Sequence, residues 1–367
     1  MRITAVLSRG PRHPFTLETV ELDAPRPDEI LVRITASGLC HTDLAVRSLA
    51  PEGANPLVLG HEGAGVVEEV GREVRGVAPG DRVLLSYRRC GACPNCRDGR
   101  PAYCAGMLAL NNGGTRPDGS TTLRQGDTPL VGSFFGQSSF ASHVLTTVDN
   151  TVVVGRETDL GTLAPLGCGV QTGAGAVLNV LRPEPGATLA IFGMGSVGLS
   201  ALLAARTAGV ARVLAVDLLP ERRELALALG AELALDPGAL EAGTELADAV
   251  RGLLDGGPDH ALDTTGNPEV IAQGVKALAA RGTLVVVGLG PNELTLDVQD
   301  LMYGGKSLRG CVEGDSVPER FIPELLELHA DGRFPVERLV TRYRFEDINQ
   351  AVADQLAGRV VKPVLTW

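Results

Sequence analysis

The chain has 367 residues, 44% of them hydrophobic and 21% charged, with a formal net charge of −11. That length exceeds what one hydrophobic core serves, so two domains are expected, and a pI near 5.1 argues against nucleic-acid or anionic-membrane partners, which need a basic surface. No apolar run reaches the ~18 residues of a membrane span, and the start MRITAVLSRGPRHPF holds no signal-peptide core, so the expected compartment is the cytoplasm.

To about residue 155 the chain reads as β-rich. The runs TLETVEL, EILVRITASG, GAGVVEEVG and DRVLLS are short and β-prone, with Gly and Pro between them. Within this stretch GLCHTDLAV (38–46) carries Cys40 and LGHEGAGVV (59–67) carries His61 beside Glu62. Next, CGACPNCRDGRPAYC places Cys90, Cys93, Cys96 and Cys104 in C-x2-C-x2-C-x7-C spacing, four of the chain's seven cysteines. Clustered thiols in a reducing compartment bind metal more often than they form disulfides. A short loop of this kind turns four thiolates onto a tetrahedral ion, and zinc prefers that arrangement. Four sulfur donors leave no place for substrate, so the site is expected to be structural. An iron–sulfur cluster or a redox pair is the alternative. A polar loop, NNGGTRPDGSTT (111–122), follows.

From about residue 160 the texture changes. TLAPLGCGVQTGAGAVLNVL, with Cys168, reads as a helix leading into a second domain. Strands then alternate with apolar-faced helices: TLAIFG, VGLSALLAARTAG, RVLAVD, PERRELALALG, AELAL, ELADAVRGLLDG, HALDTTG, PEVIAQGVKALAA and GTLVVVGLG. Nearly continuous apolar strands joined by helices predict an α/β unit with a parallel sheet covered on both faces. The final fifty or so residues mix helix (VPERFIPELLELHADG) and strand (VTRYRF) and are expected to return to the first domain.

Gly193, Gly195 and Gly198 stand in G-x-G-x-x-G spacing, directly after an apolar strand and opening a helix. The first glycine permits the turn, the second lets the backbone approach a pyrophosphate, and the third lets helix and strand pack closely. RVLAVD ends in Asp217, nineteen residues beyond Gly198, where an acid accepts the ribose hydroxyls and repels a 2′-phosphate. NAD is therefore expected over NADP, although Arg222 is a nearby cation that could receive the phosphate.

Cys40, His61 and Cys168 could form a Cys2His set with one open position, the arrangement of a catalytic zinc. Taken singly, each is more often a structural residue, a buried thiol or a satisfied core imidazole.

With these motifs together (GLCHTD, GHEGAGVVEEVG, PGDRVLL, the four-cysteine lobe, GCGVQTG, GMGSVG and VVKPVL) the chain resembles the zinc-dependent medium-chain alcohol dehydrogenases over almost its full length. CHTDLAV, FFGQSSFA and GCGVQTGAGAVLNV are most similar to the aryl-alcohol branch. The resemblance implies a β-rich GroES-like catalytic domain (1–160 and 313–367, with the zinc lobe at 88–106) and a Rossmann doubly wound cofactor domain (161–312). It implies two zinc ions per chain, NAD as cofactor, and a homodimer or homotetramer. Cys40, His61 and Cys168 would hold the catalytic zinc, with Glu62 as an occasional ligand and Asp43 orienting His61. Thr42 would take the alcohol proton, Thr172 would touch the nicotinamide, and His41 and Lys362 would contact the pyrophosphate. The relay histidine that many members carry is Ala45 here, which leaves His41 or water as the outlet. Position matching puts Tyr103, Phe134, Phe135 and Leu289 around the substrate. In a chain with 4% aromatics this favours a flat apolar primary alcohol, aromatic or allylic. Cys311 has no metal role. A thiol–formaldehyde-adduct dehydrogenase and a non-catalytic zinc scaffold are the alternatives.

Overall fold

Aliphatic, β-branched runs set between Gly and Pro become the strands of a computed structural model that describes residues 1–51 and 53–367. The first series is β1 (Arg2–Leu7), β2 (Thr16–Leu22), β3 (Glu29–Gly38), β4 (Glu62–Val70), β5 (Arg82–Leu85), β6 (Leu123–Gln125), β7 (Thr128–Leu130), β8 (His143–Thr147) and β9 (Thr151–Val154). The second is β10 (Thr188–Phe192), β11 (Arg212–Val216), β12 (Leu233–Leu235), β13 (His260–Asp263), β14 (Thr283–Val286) and β15 (Ser307–Gly310). Last come β16 (Val340–Arg344) and β17 (Lys362–Thr366).

The chain divides into two compact units. Unit 1 comprises Met1–Cys168, Val317–Glu327 and Val336–Trp367; unit 2 comprises Gly169–Ser316 and Leu328–Pro335. The first join lies beyond the expected residue 160, because helix Leu160–Leu163 packs on β3, β4 and β17 and the turn Ala164–Gly167 packs on β3, β4 and β5. The return likewise comes at Val317 rather than 313.

Unit 1 holds a seven-stranded sheet, β16-β17-β3-β4-β5-β9 with β8 also paired to β3, and a four-stranded sheet β1-β2-β6-β7. Strand β17 runs antiparallel to β3, with Val364 opposite Gly38, so the returning segment completes the first domain. Ile30, Val32, Ile34, Leu85, Phe140 and Phe345 are among the side chains that fill the unit 1 core.

In unit 2 the six strands are parallel in the order β12-β11-β10-β13-β14-β15. This is the doubly wound order of a Rossmann sheet, whose ligand crevice opens where the winding reverses, between β10 and β13. Leu189, Ala190, Ile191 and Phe192 of β10 are all buried, as a strand covered on both faces must be.

The stretch read as one helix from residue 162 is broken instead. Helix Leu160–Leu163 and the turn Ala164–Gly167 stop at Cys168, whose φ of −148° and ψ of −84° are not helical; helix Gly169–Gly175 and a π-helical turn Ala176–Leu181 follow. Two local causes are visible. Pro165 supplies no N–H, and Gly167 lies so close to β5 that a Cβ there would come 2.1 Å from the Leu85 carbonyl oxygen. The break leaves Cys168 free of helical geometry. Among the described residues no helix is long and apolar enough to cross a membrane.

Candidate active site

Strand β3 ends at Gly38, and Cys40 caps the helix His41–Leu49 that follows. Strand β4 begins at Glu62, paired with Gly38, and so brings His61 beside that cap. The turn before Cys168 packs on β4 and β5. Ligand atoms of Cys40, His61, Glu62 and Cys168 consequently lie within 4.8 Å of one another. His61 and Glu62 have no solvent exposure and Cys168 is 7% exposed.

Asp43, in the first turn of the helix and fully buried, holds two of these segments together. Its Oδ1 accepts from His61 Nδ1 at 3.0 Å and from the Gly60 N–H at 2.9 Å, and its Oδ2 accepts from the Cys40 N–H at 3.0 Å. A carboxylate accepts only, so Nδ1 carries the proton and Nε2 is the ring's free donor to a Lewis acid. Nε2 is buried and has no hydrogen-bond partner among the described residues. A buried nitrogen so placed, between two sulfurs, matches the donor set of a zinc site with an open position.

The electrostatics agree. A hydrogen bond from Cys168, outweighing burial and joined by the Lys362 ammonium and His61, holds the Cys40 thiol well below its ordinary range. Burial opposes charge on His61, but Asp43 and the Cys40 sulfur raise its affinity for a proton well above normal. The site thus favours a positive charge at the imidazole beside a thiolate, an arrangement a divalent cation satisfies. Burial pushes the Glu62 carboxyl up despite Lys362. Both Glu62 oxygens are engaged by Lys362 Nζ, at 2.9 and 3.0 Å, and that ammonium also reaches the Leu39 carbonyl. Lys362, expected at the cofactor pyrophosphate, is 1% exposed and committed to this pair. An ammonium buried so deeply needs a counter-charge, and Glu62 supplies it.

Thr42 places its hydroxyl 3.7 Å from Cys40 Sγ, whereas His41, one residue earlier, is exposed. Ala45, one turn further, carries no proton-transferring group. Phe134 and Phe135 pack on the imidazole itself, with ring centroids 5.4 and 4.6 Å from that of His61. They are 2% and 7% exposed, and Phe135 sits in the left-handed region at φ 51°, a strained setting for an aromatic residue. The buried Asn150 amide holds it there by donating to the Phe135 carbonyl at 3.0 Å. Tyr103 is partly buried against the unit 1 core, and Leu289 is 65% exposed in unit 2.

Four of the five remaining cysteine sulfurs converge in a lobe. Cys90, Cys93, Cys96 and Cys104 offer donor atoms within 4.8 Å of one another. Backbone N–H groups point at them: Cys93 donates to Cys90 Sγ at 3.3 Å, Ala105 and Cys96 to Cys93 Sγ at 3.4 and 3.5 Å, and Cys90 and Gly106 to Cys104 Sγ at 3.3 Å. Bonds of this kind stabilise thiolates; those from Ala105 and Cys96 hold Cys93 down at about 6. Burial and the neighbouring thiols push Cys96 up to about 12. Arg89 ties the lobe to helix Pro318–Ala330 by a bidentate pair with Glu319, at 2.7 and 2.9 Å. Cys311 stands apart, buried in unit 2 with its thiol pushed up to about 12 by that burial.

In unit 2, Gly193 adopts φ 89°, and a Cβ on Gly198 would come 1.9 Å from the Gly193 carbonyl oxygen. A Cβ on Gly195 would meet nothing within 4 Å, so space stays open at the start of helix Ser196–Thr207, the end of a helix whose N–H groups can receive an anion. Asp217 closes the turn, accepting from the Met194 N–H at 2.6 Å and the Leu219 N–H at 2.8 Å. Arg222 is 7% exposed and burial lowers its basicity, while Arg223 reaches the Asp217 carbonyl and pairs with Asp236. Thr172 lies in helix Gly169–Gly175, which touches the glycine-turn helix so closely that a Cβ on Gly173 would lie 2.0 Å from the Val197 carbonyl oxygen.

Sequence reasoning did not single out Gln137, Ser86 or Asn150, whose amides and hydroxyl are buried among the site's backbone groups. For Gln137 the nearest signal the sequence offers is its place inside the aromatic-rich FFGQSSFA segment; Ser86 and Asn150 lie outside it.

Comparison with known proteins finds two family models: an alcohol dehydrogenase GroES-like domain over residues 26–154 and a zinc-binding dehydrogenase domain over residues 196–331. The chain is 47% identical over 357 residues to a geraniol dehydrogenase of Castellaniella defragrans, covering 96% of this chain and 95% of that protein. Among solved structures it is similar to an alcohol dehydrogenase zinc-binding domain protein from Burkholderia ambifaria (TM-score 0.95, 49% identity, 100% and 99% of the two chains). The benzyl alcohol dehydrogenase of Acinetobacter calcoaceticus superposes with a TM-score of 0.94 at 41% identity, over 100% of this chain and 99% of that one.

Proposed function

This chain belongs to the zinc-dependent medium-chain alcohol dehydrogenases, and on that footing we propose that it oxidises a primary aromatic or allylic alcohol to the aldehyde, reversibly, with NAD. The observation that carries this reading is the buried Cys40–His61–Cys168 set with the orphaned His61 Nε2. Those three residues would hold the catalytic zinc, with Glu62 behind it, and Cys90, Cys93, Cys96 and Cys104 would hold a second, structural ion. When bound, the zinc supplies a Lewis acid that acidifies an alcohol hydroxyl, and the nicotinamide supplies a hydride acceptor.

The protein's share of the work is binding, orientation and proton handling. Asp43 fixes the tautomer and ring plane of His61. Thr42 receives the alcohol proton at its hydroxyl, and His41, at the exposed start of its helix, carries the proton to water in place of the side chain missing at Ala45. Phe134 and Phe135 give an apolar wall against the imidazole, excluding water and suiting a flat or unsaturated substrate. Tyr103 and Leu289 are proposed to extend that wall. The space at Gly195 admits the pyrophosphate, Asp217 takes the ribose hydroxyls and disfavours a 2′-phosphate, and Thr172 meets the nicotinamide. The similarity to geraniol and benzyl alcohol dehydrogenases supports the substrate class.

A cytoplasmic location is proposed, where clustered thiols are kept reduced. Self-association is supported by β15, an exposed edge strand beside the exposed Met302 and Tyr303; a dimer is the expected state, two such pairs giving a tetramer.

Steady-state kinetics with NAD and NADP against benzyl alcohol, geraniol, ethanol and thiol–formaldehyde adducts test the assignment. Preference for benzyl alcohol or geraniol with NAD is expected; preference for an adduct would replace it. One zinc per chain instead of two, without turnover, would identify a scaffold. Asp217→Gly is expected to raise the KM for NAD and improve use of NADP.

A further inference from the structure

Resting on the zinc reading above, we propose that Gln137 and Ser86 are positioning residues of the metal centre, clamping the His61 loop to the Cys168 loop. The three proposed ligands come from three separate segments. Asp43 joins the first two, since its oxygens bond the backbone of Cys40 and Gly60 and the ring of His61. Its hydrogen bonds do not extend to the third.

That junction is made by a carboxamide and a hydroxyl. Gln137 Oε1 accepts from the Gly63 N–H at 3.0 Å, and its Nε2 donates to the carbonyls of His61 and Ser86, each at 3.0 Å. Ser86 Oγ donates to the Gly167 carbonyl at 2.7 Å, one residue before Cys168. The path runs from the His61 peptide through the Gln137 amide to Ser86 and on to the peptide that carries Cys168. Gln137 is 76 residues from His61, and Ser86 is 81 from Gly167, so these bonds tie distant chain segments. Gln137 is 1% and Ser86 0% exposed, so no water competes with the bonds. The backbone of Gly167 also packs on β5 too closely for any side chain, which leaves Cys168 no slack on that side.

Zinc tolerates little error: its bonds to nitrogen and sulfur are about 2.0–2.1 and 2.3 Å. A shift of a few tenths of an ångström between His61 and Cys168 is enough to weaken the site. The same Gln137 follows the Phe134–Phe135 turn, so the aromatic wall and the imidazole it covers move as one body.

Gln137→Met keeps the side chain's length and removes all three bonds; Ser86→Ala removes the link to Gly167 alone. Each variant, purified as holoenzyme, is challenged with a chelator while released zinc is followed, and its cobalt-substituted form is examined by visible absorption. The lobe zinc in the same molecule is the internal control. Gln137→Met is expected to release the Cys40–His61–Cys168 metal about ten- to a hundredfold faster, with shifted cobalt bands and an unchanged lobe. Ser86→Ala is expected to shift both readouts in the same direction by less. A folded Gln137→Met that holds this metal as the native protein does, with an unaltered cobalt spectrum, overturns the proposal; if that variant does not fold, Ser86→Ala decides alone by the same criterion. Failure of the native protein to bind a second zinc would instead strike the functional reading.

Discussion

In the lobe, four sulfurs come from residues 90–104, with Cys104 buried and the other three at least partly exposed, and backbone N–H groups point at each of them. In the buried cluster, two sulfurs and an imidazole come from three distant segments, and side-chain charges surround them: Asp43 on the ring, Lys362 on Glu62. On the proposed reading the lobe spends its whole donor set on one ion, which would staple a loop and leave no place for substrate. With Cys40, His61 and Cys168 as the proposed ligands, the buried cluster would leave one place open beside groups that tune charge. The proposed division into a staple and a catalyst rests on these surroundings rather than on sulfur count.

The sharpest way to break this contrast is Cys40→Ser. Turnover is expected to fall by about a thousandfold or more, roughly 4 kcal/mol of barrier, with one zinc lost and the lobe zinc retained. Metal analysis beside steady-state kinetics checks both halves, and retained alcohol oxidation would remove the catalytic assignment. Asp43→Asn should act on the buried cluster alone, weakening its metal affinity or activity about ten- to a hundredfold, measured by chelator competition; equal loss from the lobe would mean that the two sites are not independent. Cys93→Ser is the converse test. It should strip the lobe and lower the thermal midpoint, while turnover per folded molecule stays within about threefold, as expected for separated sites. A collapse matching that of Cys40→Ser would erase the distinction.

Much of this was legible in the residues because the signals were local. The glycine turn is written into six consecutive positions, and the lobe into one short loop. The alternation of apolar strands and helices foretold the parallel sheet of unit 2, and β17 joins the first domain's sheet as the returning segment should. What escaped depends on contacts made across the fold. Pro165 is a visible sign of the helix break at Cys168, but its second cause, the approach of Gly167 to Leu85, is one no propensity reports. Lys362 pairs with Glu62 300 positions away, so its partner could not be read from its neighbours. Gln137 and Ser86 carry no motif, since a buried amide becomes informative only when the peptides around it are known. The left-handed backbone at Phe135 is held against local preference by Asn150, another contact set by tertiary structure.

The pairing of β17 with β3 bears on synthesis. Unit 2's main body, Gly169–Ser316, is one uninterrupted stretch and can mature while translation continues. The buried cluster cannot, because the ammonium paired with Glu62 belongs to residue 362. Until the ribosome has delivered it, Glu62 lies beside Cys40 and Cys168 without its ammonium partner. Trimming the polypeptide ahead of this strand would therefore damage the chemistry at its centre rather than a dispensable tail.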